Sequence, residues 1–247
     1  MTPIHAIGDI HGHLAQLDAA LDAIARHGEP TAQVVFLGDF VDRGPDARRV
    51  IETLMQGQAD GRPWICLLGN HDRFIARYLA NPKYCDPNTS RPLLWTDTPL
   101  GGRATLASYG VDASEDRRIE DIHADAVAAI PQAHLDWIAG LPRYYETDDH
   151  IFVHAGLRPG VPLRAQKEDD LIWIRDGFLN SDHRWDRLVV HGHTALDHPQ
   201  LYHNRLNLDG GAGYGRPLVP ALLEGRAVSV LNQTGRSPLA VSAVTSS

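Results

Sequence analysis

Four short segments concentrate residues that hold metals or touch phosphate. They are Gly8-Asp9-Ile10-His11-Gly12, Gly38-Asp39-Phe40-Val41-Asp42-Arg43-Gly44, Gly69-Asn70-His71-Asp72 and His191-Gly192-His193-Thr194. A fifth, Phe152-Val153-His154-Ala155-Gly156, adds one more imidazole. Carboxylate, amide and imidazole donors without a thiolate suit Mn, Fe or Zn in an open site better than a structural zinc cage. Asp9 and His11 are two residues apart, a spacing that turns both side chains to one face of an extended strand end. Asp39 has two oxygens with which to bridge two ions. Asn70 offers an amide oxygen, and His154 and His193 offer ring nitrogens. His191 and His193 also share one face of an extended strand, so spacing alone does not choose between them. Taken singly, Asp9, Asp39 or Asn70 ahead of a helix is equally an N-cap, and His154 a core histidine. Caps do not explain paired histidines or the Arg43 that follows Asp42.

These residues must be delivered by a scaffold. Residues 3–9, 34–39, 63–69, 150–155, 187–192 and 205–209 are short, rich in Val, Ile, Leu and Phe, and bounded by Gly, which predicts buried strands. Leu14, Leu17, Leu21 and Ile24 recur at helical spacing before Gly28. Pro45 is expected to open a second helix through Val50, Ile51, Leu54 and Met55, and His71 to Ala80 a third. The order β-α-β-α-β-α predicts parallel strands with crossover helices and a ligand beyond their carboxyl ends. Residues 81–149 differ: a Pro-rich loop, then helical patterning at 116–129 and 131–140. This reads as a helical insertion beside the site. Further strands are expected at 218–224 and 226–232, and residues 235–247, poor in charge and without periodicity, as a flexible tail.

Composition narrows the class. The chain has 247 residues, 43% of them hydrophobic, enough for one domain with one sizeable core. Its net charge of −8 argues against a general nucleic-acid binder, which carries a basic face. An acidic protein that handles phosphate needs local positive charge, and bound metal ions supply it. Of the two cysteines, Cys66 lies in an apolar run and Cys85 in a polar loop, which is no disulfide framework. The sequence shows no apolar signal segment before Gly8 and no membrane-length apolar stretch, so a cytoplasmic protein is expected.

The ordered set GDIHG, GDFVDRG, GNHD, HAG and GHT resembles the calcineurin-like metallophosphoesterases, within them the bacterial and phage phosphoprotein phosphatase branch. Asp209-Gly210-Gly211-Ala212 resembles that family's closing segment. The resemblance implies an α/β fold, a β-sandwich flanked by helices, as a single domain over residues 1–234. It implies one ion on Asp9, His11 and Asp39, and a second on Asp39, Asn70, His154 and His193, which selects His193 over His191. It makes His71 a proton donor supported by Asp42, with Arg43 and Arg175 as phosphate-binding arginines alongside Asn70. Two divalent ions, Mn first with Fe or Zn as substitutes, would share a hydroxide nucleophile. One departure stands out: Pro99-Leu100-Gly101-Gly102 lacks the Asn often found before the Gly pair.

The expected activity is phosphomonoester hydrolysis, with serine/threonine phosphoproteins ahead of small phosphoesters. The alternative on the same scaffold is a diadenosine polyphosphate or other nucleotide phosphohydrolase. A weaker alternative is a metal-binding scaffold without catalysis, against which the proton donor argues. The sequence shows no adenine-stacking pocket beyond what Trp95 and Tyr109 of the insertion would form. No partner nucleic acid or membrane is expected, and no segment singles out an oligomeric state.

Overall fold

The structure is a computed structural model that describes residues 2–242. Its frame is two mixed sheets. The first contains β1 (Ile4–Ile7), β2 (Gln33–Phe36), β3 (Trp64–Cys66), β9 (Ala221–Glu224), β10 (Ala227–Asn232) and β11 (Gly235–Pro238), in the order β11-β10-β9-β1-β2-β3. The second contains β4 (Tyr144–Glu146), β5 (His150–Val153), β6 (Leu188–His191), β7 (Gln200–Leu201) and β8 (Arg205–Asn207), in the order β4-β5-β6-β8-β7. The ligand-bearing strands β1-β2-β3, at one end of the first sheet, and β5-β6-β8, in the middle of the second, are parallel; the strands that extend each sheet beyond them pair antiparallel.

Period-2 patterning explains the sandwich. Ile4, Ala6, Val35 and Leu37 of the first sheet cluster with Phe152, Leu188, Val190, Leu206 and Leu208 of the second. The alternate residues Ile7, Val34 and Phe36 join the core formed with the helices. Against the first sheet lie α1 (Leu14–His27), which buries Leu14, Leu17, Ala20, Ala23 and Ile24, and α2 (Ala47–Ala59), which buries Val50, Ile51 and Leu54. Each fully buried Leu or Ile contributes about 1.5–3 kcal/mol. The remaining helices are α3 (Asn70–Ala80), α4 (Gly102–Ser108), α5 (Ile119–Ala129), α6 (Gln132–Ala139), α7 (Glu168–Trp173) and α8 (Asp176–Leu179). Among the described residues, none of these helices is long and apolar enough to cross a membrane. Both cysteines are free thiols, and Cys66 is buried.

The sequence places the elements but overruns their ends. β1, β2 and β3 stop at Ile7, Phe36 and Cys66, two to four residues before the candidate ligands. Gly38 shows why: its φ is +100°, and a Cβ there would lie 2.5 Å from the Gly69 nitrogen. The chains leave the sheet so that their loops can touch. Pro45 precedes α2 rather than opening it, because Gly44 and Asp46 give their N–H groups to the His11 and Gly12 carbonyls. The tail expectation also changes. Residues 235–238 pair with β10 as an edge strand whose side chains are mostly exposed, so no alternation betrays it; residues 243–247 lie outside the described residues.

Candidate metal centre

The predicted ligands converge at the carboxyl ends of β1, β2, β3, β5 and β6. Asp39, His154 and His193 bring one ligand atom each within 4.8 Å of one another, and so do His11, Asp39 and His71. Asp39 belongs to both groups, as a bridging carboxylate requires. Asn70 joins the first group: its Oδ1 lies 2.9 Å from His154 Nε2 and 2.8 Å from His193 Nδ1. Asp9 is in neither group. Both its oxygens accept the His193 backbone N–H at 3.1 Å, which ties the β1 loop to the β6 loop. A Cβ on Gly192 would lie 2.0 Å from Asp9 Oδ1, so only glycine admits this approach. His191 ends β6 and packs in the core away from the cluster, its ring 5.0 Å from that of Phe178 on α8. The structure thus brings His193, and not His191, to the cluster.

The loops that deliver these groups are strained. His11, Asp39, Asp42, Arg43 and His193 have φ between 48° and 72°, and they are the non-glycine residues with positive φ among the described residues. Each such residue costs of order 1–3 kcal/mol. The i, i+2 argument for Asp9 and His11 therefore does not hold: no strand extends that far, and a left-handed turn at His11 aims its ring. The backbone is held in place by side chains. Asp72 accepts N–H bonds from Asp39 at 2.8 Å, Phe40 at 2.7 Å and Gly69 at 2.9 Å. Asn70 is the first residue of α3 rather than its cap, which is Gly69.

Protonation states fit a cation. Burial, followed for His11 by Arg43 and for His193 by His154, pushes the imidazoles of His11, His154 and His193 down, so all three are neutral. His154 Nδ1–H donates to the Leu37 carbonyl at 2.9 Å. Its Nε2 then carries a lone pair, yet faces Asn70 Oδ1 at 2.9 Å and Asp39 Oδ1 at 3.5 Å. A lone pair aimed at two oxygens is repulsive unless a positive ion lies between them. The carboxylates make the same demand. Burial, then Asp209 and Asp39, push Asp9 well above the usual carboxylate range. Burial acts to raise Asp39 too, and what would draw it below the usual carboxylate range is positive charge among the surrounding imidazoles, which the neutral rings leave to bound ions. Buried acids packed this closely need positive charge, which divalent ions supply.

A second constellation adjoins the first. His71 Nδ1–H donates to Asp42 Oδ2 at 2.6 Å. Asp42 is fully buried and also accepts from Thr105 Oγ1 at 2.7 Å and Trp95 Nε1 at 3.0 Å. Arg43 donates to His11 Nε2 at 2.6 Å and to His71 Nε2 at 3.2 Å, and its guanidinium stands 4.8 Å from the Tyr214 ring centre. A cavity of about 450 Å³ opens over the cluster, walled by Arg43, His71, Arg175, Thr194, Tyr214 and Arg216 among others. The Thr194 hydroxyl on this wall is buried and without a partner.

Sequence reasoning missed Asp72, Thr105, Asp209, Tyr214 and Arg216 as site residues. The first and third stand inside the quoted motifs, and the others carry no local signal. It also misplaced the aromatics. Trp95 is 1% exposed and spends its N–H on Asp42, and Tyr109 is buried with its hydroxyl 2.8 Å from His134 Nδ1. Neither can stack a base, because packing has already used both faces.

Comparison with known proteins agrees with this geometry. Residues 2–214 match the family described as calcineurin-like phosphoesterase. A symmetrical bis(5'-nucleosyl)-tetraphosphatase of Janthinobacterium sp. (strain Marseille) is 34% identical over 159 residues, which is 63% of this chain and 44% of that protein. The chain thus matches less than half the length of that relative. The asymmetrical bis(5'-nucleosyl)-tetraphosphatase PrpE of Halalkalibacterium halodurans is 24% identical over 86% of both chains. A solved structure provisionally described as a diadenosine tetraphosphatase superposes with a TM-score of 0.64 at 22% identity, covering 97% of this chain and 94% of that one.

Proposed function

Because the chain belongs to the calcineurin-like phosphoesterase family, and is thus a metal-dependent phosphoester hydrolase, we propose that its substrates are bis(5'-nucleosyl) polyphosphates. One observation carries this: three arginines, Arg43, Arg175 and Arg216, line the cavity over the ligand cluster. A phosphomonoester offers one phosphoryl group to such a wall, and a polyphosphate offers several. The tetraphosphatase relatives support the same choice over the serine/threonine phosphoprotein that the motifs alone favour.

Asp9, His11 and Asp39 would hold one ion, and Asp39, Asn70, His154 and His193 the other, with Mn first and Fe or Zn as substitutes. When bound, the ions supply Lewis-acid activation of water and of the phosphoryl oxygens. The chain's own residues do the rest. His11 gives Nδ1–H to the Val41 carbonyl at 2.8 Å, so its one lone pair is on Nε2. That lone pair now receives Arg43; turning it to a metal frees Arg43 Nη1 for a phosphoryl oxygen. Arg43 and Arg175 then clamp the phosphoryl group with forked donors. His71, fixed through Nδ1 by Asp42, would present Nε2 to the leaving oxygen; once Arg43 has turned to the phosphoryl group and Nε2 has taken up a proton, the ring passes that proton to the oxygen as the P–O bond breaks.

The test is a panel at one pH and one Mn concentration: bis(5'-adenosyl) tetraphosphate, phosphoserine and phosphothreonine peptides, and an aryl phosphate. The dinucleotide is expected to show the highest kcat/KM. Phosphopeptides ahead by more than about tenfold, or ~1.4 kcal/mol, would restore the phosphoprotein reading.

A further inference from the structure

Beside the cavity over the metal ligands lies a second one, of about 440 Å³, and the two share Arg43 and Tyr214. Its far wall is the insertion segment that carries Thr96, Thr98, Pro99 and Arg103. This is within the size range of small-ligand sites. No carboxylate lines it. The insertion segment is locked to the proton-donor constellation: the Gly101 carbonyl accepts the Arg43 N–H at 3.2 Å, and Trp95 and Thr105 hold Asp42. A proton donor faces the leaving group, so the cavity on this side lies where the leaving group must go.

Tyr214 is the conspicuous residue. It is 63% exposed, one of three large apolar side chains so exposed among the described residues. It follows Gly211 and precedes Gly215, both in left-handed turns, and Gly213 between them packs against the His11 ring. The ring is thus anchored at its base and open above. Arg43 stacks on it at 4.8 Å, which keeps it upright at the junction of the two cavities.

We propose that this second cavity is the leaving-group subsite, that it accepts the heteroaromatic base of a nucleoside, and that Tyr214 is its stacking platform and specificity-determining residue. The proposal rests on the dinucleotide reading above and names the residues that would select it. An exposed aromatic ring bordered by arginine is what sequence-tolerant base stacking uses. The Thr96 and Thr98 hydroxyls lie at the edge, beside Arg103, which its bonds to the Thr96 and Ala113 carbonyls hold in place. The insertion thereby becomes a substrate-reading wall rather than a cover for the sheet.

The experiment uses inhibition of aryl phosphate hydrolysis at fixed free Mn, so it does not require that a dinucleotide be cleaved. The inhibition constants of inorganic pyrophosphate and of adenosine 5'-diphosphate are measured for the wild type and for Tyr214→Ala, Tyr214→Phe and Thr98→Trp. In the wild type and Tyr214→Phe, the diphosphate should bind about tenfold more tightly than pyrophosphate. Tyr214→Ala removes the platform and Thr98→Trp fills the cavity from its exposed rim; each should bring the ratio to about one. A role for Tyr214 exercised only through Arg43 would weaken both inhibitors alike and leave the ratio unchanged. That result, or a wild-type ratio near one, overturns the subsite. A ratio that shifts as expected in a protein that does not cleave dinucleotides keeps the subsite and sinks the substrate reading instead.

Discussion

Around the ligand cluster the chain is buried and over-determined. Asp9, His11, Asp39, Asn70, His154 and His193 are all less than a tenth exposed, and five residues of the site sit at positive φ, held by the Asp72 carboxylate and by glycine contacts. The facing wall, residues 96–104 and 211–216, is built on other terms. Tyr214 is exposed, Arg216 pairs with the exposed Asp197 at 2.9 Å and with the Leu196 carbonyl at 3.3 Å, and Thr98 and Pro99 stand in solvent. The first region must hold charges in fixed positions, and strain is tolerated where surrounding structure enforces it. The second must let a substrate in, and so leaves Thr98, Pro99 and the Tyr214 ring open to solvent. The two meet at Asp42 and Arg43.

The largest effect should come from the strained side. Asp39→Asn removes the carboxylate common to both ligand groups. Its metal affinity should fall by more than the roughly 10–100-fold seen when a partner outside the ligand set is lost. Elemental analysis should find fewer Mn per chain, with activity falling in parallel. A fully metallated, active Asp39→Asn protein would break the assignment of this region as a metal centre.

His71 sharpens the boundary between the regions, since its ring lies within ligand distance of His11 and Asp39 but is pinned by Asp42. His71→Asn should keep its metals and lose roughly 10²–10⁴ in kcat on an alkyl phosphate. The loss should be smaller on a polyphosphate, whose leaving phosphate needs less help from a proton. Loss of metal from this variant would move His71 into the ligand set.

Trp95→Phe probes the link itself. The indole N–H reaches both Asp42 oxygens at 3.0 Å from the insertion side. Asp42 keeps its Thr105 bond, so kcat should fall about tenfold, ~1.4 kcal/mol, with KM little changed. An equal fall in kcat/KM for a variant whose kcat is intact would mean that Trp95 shapes the wall rather than the proton donor.

The contrast also explains what was legible. Strand ends followed by Gly-Asp, Gly-Asn-His or Gly-His are local signals, because the same few residues must both leave the sheet and carry a donor. The eight principal strands and the helices at 14–27, 47–59 and 70–80 follow from apolar spacing. The edge strands β4, β7 and β11 do not, since they are short and bury little. Nor does α4, whose seven residues are too few to show a period. Trp95 is not free for the stacking that the sequence left open to it, for a reason no window of sequence contains: Asp42, fifty-three positions away, claims the indole. The family resemblance carried the ligand set further than spacing did, and it chose His193 where extended geometry left His191 equal.

That last choice has its own test, with the smallest expected effect. His191 is buried against Phe178, and burial, then Arg205, push its pKa down to about 3. The folded value lies below the unfolded ~6.5. Stability from the neutral ring is therefore complete above pH ~6.5 and is lost as pH falls from there towards 3, by up to about 1.4 kcal/mol per pH unit. His191→Gln has no such titration. Urea midpoints of the two proteins, with chelator present, should therefore converge or cross in the variant's favour between pH 7 and pH 5. At pH 7 with Mn, His191→Gln should retain all its metal, while His193→Ala should lose an ion. A stability gap independent of pH would show that His191 is not held neutral by burial. Metal loss from His191→Gln with metal kept in His193→Ala would shift the ligand to β6 itself and undo the distinction between the strand and the strained loop that follows it.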